Sequence, residues 1–286
     1  MDLGLSTSMI PQNGFPDGLA LLAAAGPVWL EIHGYTWEEF DFGDRALVGR
    51  TKRAMARHGL RLWSCHSPAY APLDVASSDA DLRARSCAVM EEAIEVSAEL
   101  GARVFVCDAV RSYQDAEMRE TRQPLYAESL RRLQRAADRT ALRLAIENKP
   151  REWGPFTTPE DFLRLVTEHG LTGLGACWDT GHGWIAGHPP HVACRLGTRL
   201  VSLHVHENDG RRDQHRMPET GTLPWRRFVE GLHRIGYDGP FMLELVPPDP
   251  PSEDATRRAV ADAVAIHSQF MEWLKGSQPG SSKKSL

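Results

Sequence analysis

The feature of this 286-residue sequence that most limits its fold is an eightfold alternation of short apolar runs with longer amphipathic segments. The apolar runs predict strands at residues 3–7, 28–33, 60–64, 104–107, 142–146, 175–178, 200–204 and 241–245. The segments between them predict helices at residues 17–25, 44–58, 81–100, 126–140, 159–169, 190–196, 223–235 and 253–275. Strict alternation of this kind favours a parallel sheet joined by right-handed crossovers.

Eight strand–helix units in a chain of this length predict an α/β fold closed into a (β/α)8 TIM barrel, in preference to a doubly wound sheet. No G-x-G-x-x-G turn follows the first strand, which weakens the case for a dinucleotide-binding fold. We expect residues 1–275 to form a single barrel domain. The last eleven residues, GSQPGSSKKSL, have the composition of a disordered tail at 276–286.

Composition limits the location and the partners of the chain. A net charge of −5 offers no general basic surface for a nucleic acid, so none is expected as a partner. Five cysteines without a C-x-x-C pair argue against a disulfide framework and favour reduced thiols. We find neither a long apolar stretch nor a secretory leader, and we therefore expect a cytoplasmic protein without membrane contact.

Polar side chains follow nearly every predicted strand, where a barrel of this kind gathers its chemistry at one mouth. His204 and His206 alternate with apolar neighbours, so both should point the same way. So many acidic and imidazole groups at one mouth would repel one another or stay unsatisfied without a cation. The residues at the strand ends are Glu31, His33, His66, Asp108, Glu147, Asp179, His182, His204, His206 and Glu244.

The strand ends carry a family resemblance. The segments CHSPAYAPLDVASSD (65–79), IENKP (146–150), CWDTGH (177–182), LGTRLVSLHVHENDGRRDQH (196–215) and FMLEL (241–245) resemble the sugar phosphate isomerase/epimerase superfamily. Its members share a xylose isomerase-like TIM barrel and include ketose 3-epimerases, inosose dehydratases, hydroxypyruvate isomerases and endonuclease IV enzymes. The motifs are specific for the superfamily and poorly specific for any one activity within it.

The resemblance implies a divalent metal held by Glu147, Asp179, His204 and Glu244. An ungapped alignment gives His204 as the ligand on the seventh strand, and counting from some epimerases leaves His206 as the alternative. Three oxygen ligands and one nitrogen form a mostly hard set that suits Mn²⁺ or Mg²⁺, with Zn²⁺, Co²⁺ or Ni²⁺ as further options. In the epimerases, the pair matching Glu147 and Glu244 also acts as catalytic acid and base.

A second metal stays open, because the relatives of the endonuclease type hold an additional zinc with residues that match His182, Asp213 and His215. His66 matches a further zinc ligand of those enzymes. Asp108 stands where they carry a histidine, and this departure speaks against a three-metal centre.

Substrate contacts are expected from His182, His66, Arg211 and Trp178. Arg212, Trp184 and Tyr70 are weaker candidates, whereas Trp29 and Trp63 are predicted to pack in the core. No glycine-rich helix start forms a phosphate cradle, so the sequence does not support a phosphorylated substrate.

The resemblance implies a metal-dependent isomerase or epimerase that removes a proton next to the carbonyl of a small sugar or polyol ketone. A metal-dependent lyase, either an inosose-type dehydratase or an enzyme that eliminates from a sugar conjugate, starts with the same step and stays an alternative. An endonuclease IV-like phosphodiesterase fits the acidic charge balance poorly. A non-catalytic sugar-binding barrel would not need both glutamates. A homo-oligomer is left open.

Overall fold

The computed structural model describes residues 1–11, 14–34, 39–108, 110, 116–246 and 252–276. Its eight strands are β1 (Leu3–Ser6), β2 (Trp29–Ile32), β3 (Arg61–His66), β4 (Val104–Cys107), β5 (Arg143–Glu147), β6 (Gly175–Asp179), β7 (Leu200–His204) and β8 (Phe241–Leu243). The helices in the same residues are α1 (Leu19–Ala23), α2 (Arg45–His58), α3 (Ala80–Leu100), α4 (Ala116–Thr140), α5 (Pro159–His169), α6 (Thr180–Ile185), α7 (Trp225–Arg234) and α8 (Glu253–Gly276). Two 3₁₀ segments lie at Thr7–Met9 and Pro190–Arg199.

The strands form one parallel sheet in the order β7-β6-β5-β4-β3-β2-β1-β8. The two end strands approach each other beyond β7, where Val205 N–H donates to Met242 O at 2.8 Å. Glu244 N–H donates to Val205 O at 3.2 Å. These bonds bring the sheet close to a full barrel and confirm the predicted (β/α)8 architecture.

Side chains alternate between two apolar layers along the strands, as the pleat of a strand requires. One layer fills the lower part of the barrel interior and includes Trp29, Trp63, Val104, Val201 and Met242. The other lies between the sheet and the helices. Because Trp29 and Trp63 pack edge to face with their ring centroids 5.4 Å apart, the prediction of packing roles for them is confirmed.

Local signals define the ends of several helices. The Asp44 side chain accepts hydrogen bonds from the first turn of α2, and Asp79 does the same for α3. The two helices end at Gly59 and Gly101, whose positive φ angles of 65° and 90° are unfavourable for other residues. These bounds agree with the predicted ones to within one residue.

Three parts of the predicted pattern differ from the structure in the described residues. The helix predicted at 190–196 is the 3₁₀ segment Pro190–Arg199, which is interrupted at Gly197. Helix α4 begins ten residues before the predicted start, so that Pro124 lies inside it. Helix α6 was not predicted, because two glycines in TGHGWI disfavour a helix; Asp179 caps it by accepting a hydrogen bond from His182 N–H.

The predicted tail lies outside the described residues, except that Gly276 is the last residue of α8. Among the helices of the described ranges, none is both long enough and apolar enough to cross a membrane.

Candidate active site

Four buried side chains stand at the carboxyl ends of neighbouring strands. Glu147 ends β5, Asp179 ends β6, His204 ends β7 and Glu244 follows β8 directly. None of the four is more than 4% exposed. Parallel strands deliver their ends to the same mouth, which explains how residues nearly a hundred positions apart meet.

The two ring nitrogens of His204 contact different neighbours. Its Nε2 lies 3.1 Å from the carboxylate of Glu31, which is fully buried at the end of β2 and also accepts a 2.6 Å hydrogen bond from Ser64 Oγ. Its Nδ1 lies 3.4 Å from Glu147 Oε1 and 3.4 Å from Glu244 Oε2, without a hydrogen-bond partner of its own. An imidazole held from behind by a carboxylate, with its other nitrogen facing acidic oxygens, is the usual arrangement of a metal-ligating histidine.

Asp179 lies close to both glutamates. An oxygen of Asp179 lies close enough to ligand atoms of Glu147 and His182 for one cation to contact all three residues. The same is true of Asp179 with Glu244 and His206. The Asn148 side chain holds the Asp179 backbone, accepting from its N–H at 2.6 Å and donating to its carbonyl at 3.0 Å. The carboxylate is therefore presented by a strand end and a helix start that are both rigidly hydrogen bonded.

A second polar group lies beside the first. Asp213 Oδ2 is 3.2 Å from His182 Nε2 and 3.2 Å from His215 Nε2, so the structure brings together the three residues considered for a second metal. His206 joins them, since its ring stacks on that of His215 with 4.0 Å between centroids. Its ring packs so closely on Gly181 that a Cβ there would be 2.0 Å from His206 Cε1. His215 itself has a positive φ of 45°, a strained value for a residue with a side chain.

A third group forms around Lys149, for which the sequence alone predicts no role. Lys149 Nζ lies 2.8 Å from Asp108 Oδ2 and 3.4 Å from Glu147 Oε2. His66 Nε2 also approaches Glu147 Oε2, at 3.4 Å. The two oxygens of Glu147 therefore face different neighbours, because Oε1 is 2.9 Å from His182 Nδ1.

Burial and charge act in opposite directions on the acidic groups. Burial by itself raises the pKa of the Glu147 carboxyl, but the positive charges of Lys149 and His204 outweigh it and hold that pKa well below its usual range. Burial has the same effect on Glu244, where His204 and His215 again keep the pKa well below the ordinary value. Both glutamates are therefore ionised and able to accept a proton or bind a cation.

Not every predicted site residue reaches the mouth. Trp178 is fully buried on the outer face of β6, in the layer between sheet and helices, because it alternates with Cys177 and Asp179, which face inward. The expected substrate contact of Trp178 is thus replaced by a packing role. Arg211 lies exposed on the loop after β7, where its N–H donates to the Asp209 carboxylate.

An exposed indole stands at the rim instead. Trp153, on the loop between β5 and α5, is 46% exposed and packs edge-on against His182 with 5.9 Å between ring centroids. The sequence does not predict a site role for Trp153, because it does not stand at the end of a predicted strand. Glu31 does stand at such an end, as the four main residues do. Lys149 was also detectable in principle, since it lies two residues beyond the end of β5.

The residues suit a divalent cation. Three carboxylates and an imidazole lie at one buried mouth, and His204 Nδ1 and His206 Nδ1 lack hydrogen-bond partners. Buried carboxylates in this number are costly without a positive charge between them. The donor set, mostly oxygen with one nitrogen, is typical of Mn²⁺ or Mg²⁺ sites and compatible with Zn²⁺.

Fold and site together define a (β/α)8 barrel with an acidic, histidine-rich mouth. The family model of the xylose isomerase-like TIM barrel matches residues 19–264, and the chain belongs to this family.

Relatives and solved structures agree with this assignment. A ketose 3-epimerase of Arthrobacter globiformis is 29% identical over 201 residues, which cover 69% of this chain and 68% of that protein. Two uncharacterised proteins, from Methanocaldococcus jannaschii and Sinorhizobium fredii, are each 31% identical, but the chain spans only 38% and 27% of their lengths.

Two solved structures are similar over nearly the whole chain. A D-tagatose 3-epimerase-like protein superposes with a TM-score of 0.79 at 20% identity, covering 96% of this chain and 99% of that one. The D-psicose 3-epimerase of Clostridium cellulolyticum H10, solved with D-tagatose, gives 0.77 at 17% identity, covering 94% and 99%. At these identities the likeness concerns the fold.

Proposed function

We propose that this protein is a divalent-metal-dependent epimerase or isomerase that acts on a small, unphosphorylated sugar or polyol ketone. Glu147, Asp179, His204 and Glu244 are its metal ligands, and Glu147 and Glu244 are its acid–base pair. The observation that carries the proposal is the position of His204 Nδ1, 3.4 Å from an oxygen of each glutamate, with Glu31 holding the opposite nitrogen. The 29% identical ketose 3-epimerase supports the same class of substrate.

Mn²⁺ or Mg²⁺ at this site would polarise the carbonyl of the substrate and make the neighbouring C–H bond more acidic. The residues of the chain do the rest. Both glutamates face the same imidazole nitrogen. One ionised carboxylate can accept the proton from the substrate carbon, and the other, after it has taken up a proton from solvent, can donate that proton to the same carbon. Return from the other side inverts the carbon, which is epimerisation. The first glutamate then releases its proton to solvent.

The remaining residues orient the substrate and shield it from water. His182 lies 2.9 Å from Glu147 Oε1, close enough to donate to a substrate oxygen beside the acid–base group. Trp153 offers an apolar face above His182, and such faces suit the C–H surface of a sugar. His66, which the sequence predicts as a substrate contact, orients Glu147 in this proposal, whereas Arg211 lies at the exposed surface of its loop.

The direct experiment combines metal analysis of the purified protein with a screen of ketoses in deuterium oxide. We expect about one equivalent of divalent metal, and incorporation of solvent deuterium at the carbon next to the carbonyl of the accepted ketose. Metal-free protein that still epimerises, or metal-loaded protein that exchanges no hydrogen with any ketose, contradicts the proposal. Mass analysis of the product separates isomerisation, which conserves mass, from the dehydration expected of a lyase.

A second metal is a separate matter, supported by the grouping of His206, Asp213 and His215. Replacing His215 with alanine should leave the main metal in place. Loss of a further equivalent of metal in that variant would indicate a centre with two ions and would raise the phosphodiesterase alternative.

A further inference from the structure

The group around Lys149 has the composition of a metal site with an ammonium at its centre. Lys149 Nζ lies between Asp108 Oδ2 at 2.8 Å and Glu147 Oε2 at 3.4 Å. His66 Nε2 approaches the same two oxygens, at 3.9 Å and 3.4 Å. Two carboxylates and an imidazole are donor types that proteins use for divalent cations, and here they surround an ammonium.

The local backbone holds the lysine in this position. Lys149 N–H donates to Phe156 O at 3.0 Å, which joins the two ends of the loop after β5. A Cβ at position 154 would lie 2.6 Å from Lys149 Cβ, so only a glycine leaves room for the lysine stem. The side chain is 13% exposed, which leaves the ammonium little access to water and makes Asp108 and Glu147 its main partners.

We propose that the ammonium of Lys149 is a built-in cation that takes the place of a metal ion among His66, Asp108 and Glu147. The inference rests on the proposed function only in taking Glu147 as a ligand of the main metal. Lys149 is a positioning residue: it engages Glu147 Oε2 and leaves Oε1, which faces His182 and His204, for the main site.

Charge balance provides the physical reason. Replacing the ammonium by an apolar group of similar length would leave Asp108 and Glu147 buried without their shared cation. Uncompensated buried charge is strongly unfavourable, and uptake of a divalent ion from solution relieves it. A lysine with a purely structural role would have no such effect on the number of bound metal ions.

The test compares Lys149→Met with Lys149→Arg, which keeps the positive charge. Each protein is equilibrated with Mn²⁺ and, separately, with Zn²⁺, and bound metal is measured by elemental analysis and by titration calorimetry. We expect Lys149→Met to bind one equivalent more than the parent, and Lys149→Arg to bind the same number as the parent. The additional equivalent should disappear in the double variant Lys149→Met/His66→Ala.

The same number of ions in Lys149→Met as in the parent, with equal or weaker affinity, overturns the inference. Lys149→Gln is measured in parallel, together with thermal unfolding with and without Mn²⁺. If Lys149→Met or Lys149→Gln folds only in the presence of Mn²⁺, the inference is supported. If neither variant folds even with Mn²⁺, the lysine has a structural role and the inference is overturned. A parent protein without any bound metal contradicts the proposed function but leaves the gain in Lys149→Met as an independent result.

Discussion

At the scale of single residues, the site depends on how each polar side chain shares its atoms between two neighbours. His204 turns one nitrogen toward the buried Glu31 and the other toward the two glutamates. His206, two positions later, points to the same side of the strand but directs Nε2 toward Asp179 at 3.0 Å and lies against His215. His206 thus groups with Asp179 and Glu244 as well as with the second group. We propose His204 as the ligand of the main metal, because its Nδ1 lies 3.4 Å from an oxygen of each glutamate.

The two histidines form a matched pair for mutation. His204→Gln should weaken Mn²⁺ binding by more than the 10–100-fold that loss of an outer-sphere partner typically costs, because it removes a ligand. His206→Gln should stay within that range. Calorimetric titration with Mn²⁺ measures both, and a larger loss in His206→Gln would transfer the ligand role to His206.

The two glutamates separate catalysis from binding. Glu147→Gln and Glu244→Gln keep the size of the side chain and one oxygen donor, so each should lose turnover by a larger factor than metal affinity. Proton transfer by a positioned side chain contributes about 10²–10⁴-fold, and a decrease of that order in kcat at saturating metal is expected. If one variant forms no epimer yet still exchanges substrate hydrogen with solvent, the glutamate it retains is the base. Parental kcat in both metal-loaded variants would show that the acid–base groups lie elsewhere.

At the scale of elements, the loop between β5 and α5 links the site to the start of a helix. This loop presents Lys149 and Trp153 to the mouth, and it ends at Thr158, the N-cap of α5. Thr158 and Asp161 form a reciprocal capping box, in which the Thr158 hydroxyl accepts from Asp161 N–H and Asp161 Oδ2 accepts from Thr158 N–H. The helix start thereby fixes the far end of a loop that carries site residues.

Removing the cap tests this link. Thr158→Ala should lower the free energy of unfolding by about 1 kcal/mol, the usual cost of losing an N-cap hydroxyl. The measurement is urea unfolding at pH 7. Thr167→Ala serves as the control, since its hydroxyl bonds Leu163 O within the same helix on the exposed side. An equal effect of the two substitutions would contradict a specific role of the cap.

The other half of the box carries a pH dependence. Burial alone raises the pKa of Asp161, but hydrogen bonds from the Thr158 side chain and backbone outweigh it and lower that pKa below its usual value. A carboxyl with a lowered pKa stabilises the fold above its unfolded pKa, and this stability is lost as the pH falls through the folded pKa. Asp161→Ala should therefore destabilise the protein most at neutral pH and progressively less below about pH 4. A destabilisation that does not change with pH would contradict this.

At the scale of the whole molecule, the proposed metal ligands come from the ends of β5, β6, β7 and from the residue after β8. These strands include β7 and β8, the two ends of the sheet order, which only a few backbone bonds join. A bound cation would therefore tie together the part of the barrel where closure is least regular. We also propose that residues 1–275 unfold as one domain.

Metal removal tests this stabilisation. A ligand that binds only the folded state at 100 times its Kd stabilises it by about 2.7 kcal/mol, so chelation with EDTA should lower the Tm by several degrees. Asp179→Asn, which weakens the oxygen donor, should reduce the metal content. It should also abolish most of the difference between the Tm measured with EDTA and the Tm measured with Mn²⁺. Differential scanning calorimetry measures the Tm values, and elemental analysis measures the bound metal. Unchanged metal content in Asp179→Asn would remove Asp179 from the ligands.

The sequence by itself determined the architecture, because hydrophobic periodicity and helix-ending glycines are local signals that survive without tertiary context. Eight alternating units allowed one main topology, and that topology predicted which strand ends would meet. Helix α6 was missed because glycines at 181 and 183 argue locally against a helix that Asp179 nevertheless caps.

Only the tertiary structure decided how the strand-end residues divide among three neighbouring groups. Distances between side chains from different strands depend on strand register and on loop closure, which no local pattern encodes. These distances placed Glu31 behind His204, brought His206 to Asp213 and His215, and set Lys149 between Asp108 and Glu147. They also turned Trp178 away from the mouth, because the pleat of β6 allows only alternate residues to face inward.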